Sequence, residues 1–204
     1  MIAIVNYGLG NLQAIANIYK SKNIAVVSAS TPEDLQAADH IILPGVGSFD
    51  HAMERLSSSG MQGALIEEVK VKQKPVLGIC VGMQMMADRS EEGTRLGLGW
   101  IGGAVKRFDT TRFTQRTHLP HMGWNNVHPR QATGLFNGLG HEARFYFLHS
   151  YYFAPASDAA MLAVTDYDGP YASSVACGNV YGVQFHPEKS HQWGIQLLMN
   201  FAAL

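Results

Sequence analysis

The fold of this chain is decided by residues 75–84, which read Pro75-Val76-Leu77-Gly78-Ile79-Cys80-Val81-Gly82-Met83-Gln84. An uncharged apolar run leads to a cysteine between two glycines, after which apolar residues recur at helical spacing. This order predicts a buried strand, a sharp turn at Cys80 and a helix, the arrangement that presents a nucleophile at the edge of a sheet. The glycines leave room for the helix to approach the strand, and the start of a helix favours a thiolate. The alternative is that Cys80 is a small buried apolar residue, as free cysteines often are.

The chain before this segment alternates between short apolar runs and amphipathic stretches. Apolar runs at 1–5, 24–27 and 40–43 predict strands, and the spacing at 12–19 and 32–37 predicts helices, the second capped by Thr31. Residues 49–71 fit helices that are broken near Gly60, and helical spacing resumes at 83–87. The alternation predicts an α/β fold with a mostly parallel central sheet flanked by helices. Ligands of such sheets bind at the carboxyl ends of the strands, where Cys80 is expected.

The second half of the chain carries a different pattern. Short β-branched or aromatic runs separated by Gly, Asn, Asp and Pro predict an added antiparallel set of strands and hairpins. These runs lie at 100–108, 123–127, 144–152, 160–165, 173–177 and 180–185, and a final helix follows from Trp193. Because no linker or repeat separates the halves, residues 1–204 are expected to form a single domain.

Composition excludes several classes of function. The chain has 15 Lys and Arg against 16 Asp and Glu, without a large basic cluster, so the charge pattern of a nucleic-acid-binding protein is missing. No uncharged stretch reaches the about 20 apolar residues of a membrane span, and no signal-peptide pattern begins the sequence. Only two cysteines occur, and neither Cys nor His residues stand at metal-ligand spacing. The sequence therefore predicts a cytoplasmic protein with no metal and no cofactor.

A possible base for Cys80 follows the last apolar run. The run at 180–185 ends in His186-Pro187-Glu188, and Pro187 favours an extended conformation at His186, which presents its ring at a strand end. A cysteine nucleophile needs a base, and the base needs a group that orients it. Glu188 is close enough in sequence to hold the imidazole. The alternatives are a solvated loop histidine at 186 and a carboxylate at a helix start at 188.

These motifs together resemble the class I, or triad-type, glutamine amidotransferase family. The resemblance is carried by residues 78–84 and by Gly182-Val183-Gln184-Phe185-His186-Pro187-Glu188. Further strings resemble those of one group in that family, the glutaminase subunits of imidazole glycerol phosphate synthases. They are Pro44-Gly45-Val46-Gly47, Pro120-His121-Met122-Gly123-Trp124-Asn125 and Phe145-Tyr146-Phe147-Leu148-His149-Ser150-Tyr151. The match runs from Asn6 to the end of the sequence.

The resemblance implies a role for each matching residue. Cys80 would attack the side-chain amide of glutamine, His186 would transfer the proton, and Glu188 would orient His186. Backbone N–H groups of Val46, Gly47 and Val81 would form the oxyanion hole. The residues that would contact the substrate are Gly47, Gln84, Ser150 and Tyr151. Gln84 alternatively reads as a helix-surface residue, and Tyr151 as a core aromatic. Asn11, in a glycine-rich loop, would support the oxyanion loop at 44–47.

The resemblance also implies a partner. In the family this subunit forms a heterodimer with a (β/α)8-barrel synthase subunit. The barrel subunit receives ammonia through an interior channel and uses it in histidine biosynthesis. One alternative, suggested by the segments at 96–100 and 190–194, is a related glutaminase whose barrel partner amidinates a surface-polysaccharide sugar. A second alternative, of another class, is a non-catalytic binding or regulatory subunit on the same scaffold.

Overall fold

The computed structural model describes residues 1–114, 117–131, 134–140 and 142–204. The helices are α1 (Leu12–Ser21), α2 (Pro32–Gln36), α3 (Phe49–Ser58), α4 (Gln62–Ile66), α5 (Val81–Gln84) and α6 (His191–Ala202), and a π-helical turn, Glu67–Val71, follows α4. The strands are β1 (Ile2–Val5), β2 (Val26–Ala29), β3 (His40–Gly45), β4 (Val76–Cys80), β5 (Arg89–Ser90), β6 (Gly103–Arg107), β7 (His121–Asn126), β8 (His128–Pro129), β9 (Arg144–His149), β10 (Tyr151–Pro155), β11 (Met161–Asp166), β12 (Pro170–Cys177) and β13 (Val180–Val183).

An eight-stranded sheet in the order β2-β1-β3-β4-β13-β12-β11-β8 forms the centre of the fold. Strands β2, β1, β3, β4 and β13 are parallel, and β12, β11 and β8 extend the sheet in antiparallel fashion. Two smaller sheets, β10-β6-β5 and β7-β9, belong to the second half. The predicted α/β class, with a mostly parallel sheet and an added antiparallel set, is confirmed.

The structure corrects the prediction for the strand that leads to His186. We expected this strand in the antiparallel set, but β13 lies in the main sheet, parallel to β4 on one side and antiparallel to β12 on the other. Its register places Val183 beside Ile79. Strands β4 and β13 therefore end at the same edge of the sheet, which brings the residues after both strands together.

The first turn of α2 follows the local sequence, whereas other boundaries differ from those predicted. Thr31 begins α2 with the expected cap, because its hydroxyl accepts from the Asp34 N–H and the Asp34 carboxylate accepts from the Thr31 N–H. The second strand starts at Val26, two residues later than predicted, because the Ile24 N–H remains bonded to the last turn of α1. The helix expected through residue 87 stops after one turn, since the loop at 97–101 takes up the backbone groups of residues 85–87.

Apolar residues from both halves pack into one core around the main sheet. Strands β1 and β4 are buried along their whole length, and buried aromatic residues of β9 and α6 join the same cluster. Met83, Met85 and Met86 are fully buried in this core. No helix in the described part of the chain is long and apolar enough to cross a membrane.

Candidate functional site

Cys80 lies at the end of β4 in a backbone conformation that is rare for a residue with a side chain. Its φ is +55° and its ψ is −113°, so the turn between β4 and α5 is strained, which is typical of functional sites. A Cβ on Gly78 would lie 2.7 Å from backbone atoms of Gly82, and a Cβ on Gly82 would lie 1.9 Å from the Leu43 oxygen. Only glycine at 78 and 82 lets α5 pack this closely on the sheet.

His186 and Glu188 lie directly after β13, on the same edge as Cys80. The His186 N–H donates to the Tyr146 oxygen at 2.9 Å, and the Ser190 hydroxyl donates to the His186 oxygen at 2.6 Å, so the backbone is held from both sides. The Nδ1 of His186 lies 3.0 Å from Glu188 Oε1. The other oxygen of Glu188 is buried and has no partner among the described residues. Both side chains are nearly inaccessible to solvent.

The charge of His186 is set by its neighbours. Burial by itself lowers the pKa of His186, but the side-chain hydrogen bonds with Cys80 and Glu188, together with their charges, outweigh burial and raise it to about 10. The imidazole is therefore protonated near neutral pH and forms an ion pair with Glu188. A nucleophilic sulfur next to a protonated imidazole can attack an amide and have a proton ready for the leaving nitrogen.

A cavity of about 350 Å³ opens over Cys80 and His186, a size typical of small-molecule sites. Most of the residues that line this cavity were predicted from the sequence as site residues. They are Val46, Gly47, Cys80, Val81, Gln84, Ser150, Tyr151 and His186. The Gln84 side chain is buried. Its Nε2 donates to the backbone carbonyl oxygen of Tyr151 at 3.0 Å and to Gln184 Oε1 at 3.1 Å. Gln84 is therefore part of the site and not a helix-surface residue.

Val46 and Gly47 of the loop at 44–47 line the cavity, and the contacts that support this loop differ from the one expected. The Tyr7 hydroxyl donates to the Pro44 oxygen at 2.6 Å, and a Cβ on Gly10 would lie 2.6 Å from Pro44 Cβ. The glycine-rich loop that contains Tyr7 and Gly10 thus packs directly on the loop at 44–47. Asn11 is exposed at the start of α1, so the contact shown by the structure comes from Tyr7. Gly47 has a φ of +86°, which a glycine adopts without strain.

Six residues that line the cavity or touch the Cys80 sulfur were not predicted as site residues. Gln184 is fully buried, and its Nε2 lies 3.8 Å from the Cys80 sulfur. Its position two residues before His186, in the strand-end motif, is the signal that could have found it. The others that line the cavity are Glu92, Pro120, Leu148, His149 and Lys189. Of these, Pro120, Leu148 and His149 stand in motifs quoted above. Cys177 is exposed and lies outside this cavity.

The described residues hold no group of three or more His, Cys, Asp or Glu side chains that could bind a metal ion. The polar side chains that line the cavity instead include the Cys80 thiol, the His186 imidazole and the Gln84 amide, beside the Ser150 hydroxyl and the charged groups of Glu92 and Lys189. This set suits an amide substrate and acyl transfer to sulfur.

Comparison with known proteins places these features in a family. The model of the family described as glutamine amidotransferase class-I matches residues 3–203. The chain is 53% identical over 204 residues to the imidazole glycerol phosphate synthase subunit HisH of Bdellovibrio bacteriovorus, with all of both chains covered. It is 47% identical over 204 residues to the protein of the same name from Leptospira interrogans, again with full coverage of both.

Solved structures agree on the fold. A crystal structure of a glutamine amidotransferase superposes with a TM-score of 0.73 at 19% identity, covering 100% of this chain and 99% of that one. The structure of PurLQS from Thermotoga maritima has a TM-score of 0.69 at 17% identity, covering 99% of this chain and 97% of that one. At such identities the similarity concerns the fold alone.

Proposed function

This chain belongs to the class I glutamine amidotransferases, and from that premise we propose that it is the glutaminase subunit of an imidazole glycerol phosphate synthase. In this role it hydrolyses glutamine to glutamate and ammonia and supplies the ammonia to histidine biosynthesis. The observation that carries the proposal is the Cys80, His186 and Glu188 arrangement under a cavity that Gln84 also lines. Both relatives compared above are named as subunits of that synthase, which favours this acceptor over a polysaccharide sugar.

The reaction begins with attack of the Cys80 sulfur on the side-chain carbonyl carbon of glutamine. The carbonyl oxygen becomes an oxyanion, for which we assign the backbone N–H groups of Val46, Gly47 and Val81 as donors, because these residues line the cavity beside the sulfur. Collapse of this intermediate breaks the bond between carbon and nitrogen. The nitrogen takes the proton of the His186 imidazolium and leaves as ammonia, and a glutamyl thioester remains on Cys80.

The second half of the cycle releases glutamate. His186, now neutral, accepts a proton from the water that attacks the thioester, and the bond between carbon and sulfur breaks to return the thiolate. Glu188 keeps the imidazole oriented through Nδ1, so that Nε2 faces the sulfur and the substrate. We assign Gly47, Gln84, Ser150 and Tyr151 to binding of glutamine. One water is consumed, and one ammonia and one glutamate are formed.

The test of the glutamine site is covalent labelling by a glutamine analogue that carries a diazoketone in place of the side-chain amide. We expect the adduct at Cys80, although Cys80 is only 4% exposed and Cys177 is freely accessible, because the analogue is held in the cavity before it reacts. Peptide mass spectrometry identifies the site. Glutamine should slow the labelling, whereas iodoacetamide should prefer Cys177. An adduct of the analogue at Cys177 would contradict the assignment.

Exposed apolar residues around the cavity mouth indicate that a partner subunit binds there. Val46, Met122, Trp124 and Leu148 are large apolar residues that are 38%, 64%, 38% and 40% exposed. Val46 and Leu148 line the cavity itself, and Met122 lies beside Leu148 in the β7–β9 pair. Apolar patches of this kind mark interaction surfaces. We propose that a (β/α)8-barrel synthase subunit covers this mouth surface in a heterodimer, so that ammonia passes to it without entering bulk water.

A charge placed on the mouth surface should separate the two subunits. We expect Leu148→Asp to weaken binding of the synthase subunit by about tenfold or more, since a carboxylate would lose its hydration in the interface. The matched control is Val71→Asp, because Val71 is 66% exposed and precedes the opposite end of β4. Isothermal titration calorimetry measures both affinities. Equal affinities for the two variants would place the interface elsewhere.

Two further parts of the proposal concern the whole chain. We propose that residues 1–204 act as a single glutamine amidotransferase domain, because apolar residues from both halves share one core. We also propose a cytoplasmic location. Its support is chemical, since the mechanism needs Cys80 as a free thiol and neither cysteine forms a disulfide.

A further inference from the structure

Two histidines and a tyrosine form a buried chain of hydrogen bonds behind the cavity. The Tyr171 hydroxyl lies 3.1 Å from His121 Nδ1 and 3.2 Å from His149 Nε2. At one end, His121 Nε2 lies 3.3 Å from the Asn125 amide nitrogen. At the other end, His149 Nδ1 lies 2.8 Å from the backbone carbonyl oxygen of Tyr151. None of these side chains has a role in the reaction steps given above, although His149 lines the cavity.

Chemistry permits only one direction for the protons in this chain. The backbone carbonyl oxygen of Tyr151 can only accept, so His149 carries its proton on Nδ1. A neutral His149 then accepts at Nε2. The Tyr171 hydroxyl must therefore donate to His149 and accept from Nδ1 of His121. The Nε2 of His121 in turn accepts from the Asn125 amide, whose oxygen accepts from the Asn126 N–H. Every atom along the chain has a partner of the right kind.

Both histidines remain neutral, as this direction requires. Burial lowers the pKa of His121 to about 4. Burial, and next the charge that His121 would carry, lower the pKa of His149 to about 3. Among the residues that the structure describes, neither ring has a carboxylate partner like the one that His186 has in Glu188. Near neutral pH the two rings therefore act as oriented dipoles and not as acids.

This series of hydrogen bonds ends at the backbone carbonyl oxygen of Tyr151, which also orients Gln84. The Tyr151 oxygen accepts from His149 Nδ1 and from Gln84 Nε2, which uses both of its lone pairs. The second N–H of Gln84 goes to Gln184 Oε1, and this turns the Gln184 amide nitrogen towards the Cys80 sulfur. Among the described residues no donor contacts Gln84 Oε1, and Gln84 lines the cavity. That oxygen is the acceptor left for an N–H group of the substrate.

We infer that His149 is a positioning residue for glutamine: its Nδ1–H holds the Tyr151 oxygen, that oxygen fixes the Gln84 amide with its carbonyl towards the cavity, and the Tyr171 hydroxyl keeps the His149 proton on Nδ1. The inference rests on the proposed glutaminase function. It assigns the buried histidine a role in substrate affinity, because it acts on the amide that contacts glutamine and not on Cys80 or His186. Loss of the Nδ1–H would free the Gln84 amide to rotate.

Steady-state glutaminase kinetics on the full chain, in the complex in which it is purified, test this inference. We expect His149→Leu to raise the KM for glutamine about tenfold with kcat changed less than about threefold, since one orienting hydrogen bond is lost. His149→Asn should recover most of the affinity, because its amide N–H stands near the position of Nδ1. Tyr171→Phe removes a single hydroxyl, keeps the ring, and should raise the KM by about threefold or more.

The matched control is Tyr19→Phe, which removes another buried hydroxyl, bonded to the Leu198 oxygen far from the cavity. Its KM should equal that of the wild type. If His149→Leu fails to fold, Tyr171→Phe decides the matter, and a KM equal to that of Tyr19→Phe overturns the inference. A lower unfolding midpoint with unchanged KM would show a merely structural role and also overturns it. Wild-type protein that releases no glutamate would instead refute the proposed function.

Discussion

Replacement of Cys80 by alanine should abolish glutamine hydrolysis. The proposed thioester cannot form without the sulfur, and the remaining groups can only bind and polarise the amide. Removal of a nucleophile in comparable hydrolases costs roughly 10⁴-fold or more in kcat, so we expect a loss of at least that size. The measurement is glutamate release by wild type and Cys80→Ala under saturating glutamine.

The control for this loss is Cys177→Ala, which should keep the wild-type rate because Cys177 is exposed and outside the cavity. The fold should survive in Cys80→Ala, since alanine carries the same Cβ and meets the same strain at φ +55°. An unchanged circular dichroism spectrum and a free energy of unfolding within about 1 kcal/mol of the wild-type value would show that the chemistry was lost and not the structure. Residual hydrolysis in Cys80→Ala near the wild-type rate would rule out the covalent mechanism.

Gly82→Ala should strongly destabilise the turn that carries Cys80. The new Cβ would lie 1.9 Å from the Leu43 oxygen and 2.9 Å from the Leu43 carbonyl carbon. Both are backbone atoms of β3, so no side chain can rotate away, and α5 must move off the sheet. We expect the free energy of unfolding to fall by more than about 3 kcal/mol. The same movement would displace the Val81 N–H and so lower glutaminase activity in any protein that still folds.

The matched variant is Gly63→Ala, in α4, where a Cβ meets nothing within 4 Å. Alanine is the better helix former there, so this variant should gain up to about 1 kcal/mol. Urea denaturation followed by circular dichroism compares the two variants with the wild type. Equal free energies of unfolding for Gly82→Ala and Gly63→Ala would mean that the helix does not depend on close contact with β3.

Much of the fold could be predicted because its signals are local. The apolar run before Cys80 and the flanking glycines predict β4, the turn and α5, and each depends on residues within a few positions of one another. The Thr31 cap and the break at Gly60 are equally local. The second strand was misplaced by two residues because its start depends on how long α1 keeps the Ile24 N–H, a competition that periodicity does not reveal.

The candidate site was predictable to the extent that its residues stand in short motifs. Cys80, His186 and Glu188 each occupy a position whose local structure already indicates a role. Gln184 and Tyr7 escaped because a buried glutamine and a tyrosine in a loop carry no pattern of their own. Their roles arise from contacts with the Cys80 sulfur and the Pro44 oxygen, which are 104 and 37 residues away in sequence.

The sequence by itself determined that a cysteine stands on a strained turn after a buried strand and that a histidine and a glutamate follow another strand, because steric limits on glycine, proline and apolar spacing act between neighbouring residues. Only the tertiary structure decided that these two strands lie parallel and side by side, through the pairing of Val183 with Ile79. It also decided the charges: His186 is protonated beside Cys80 and Glu188, whereas buried His149 is neutral. The physical reason is that desolvation and nearby charge belong to the packed interior and cannot be read from neighbouring residues along the chain.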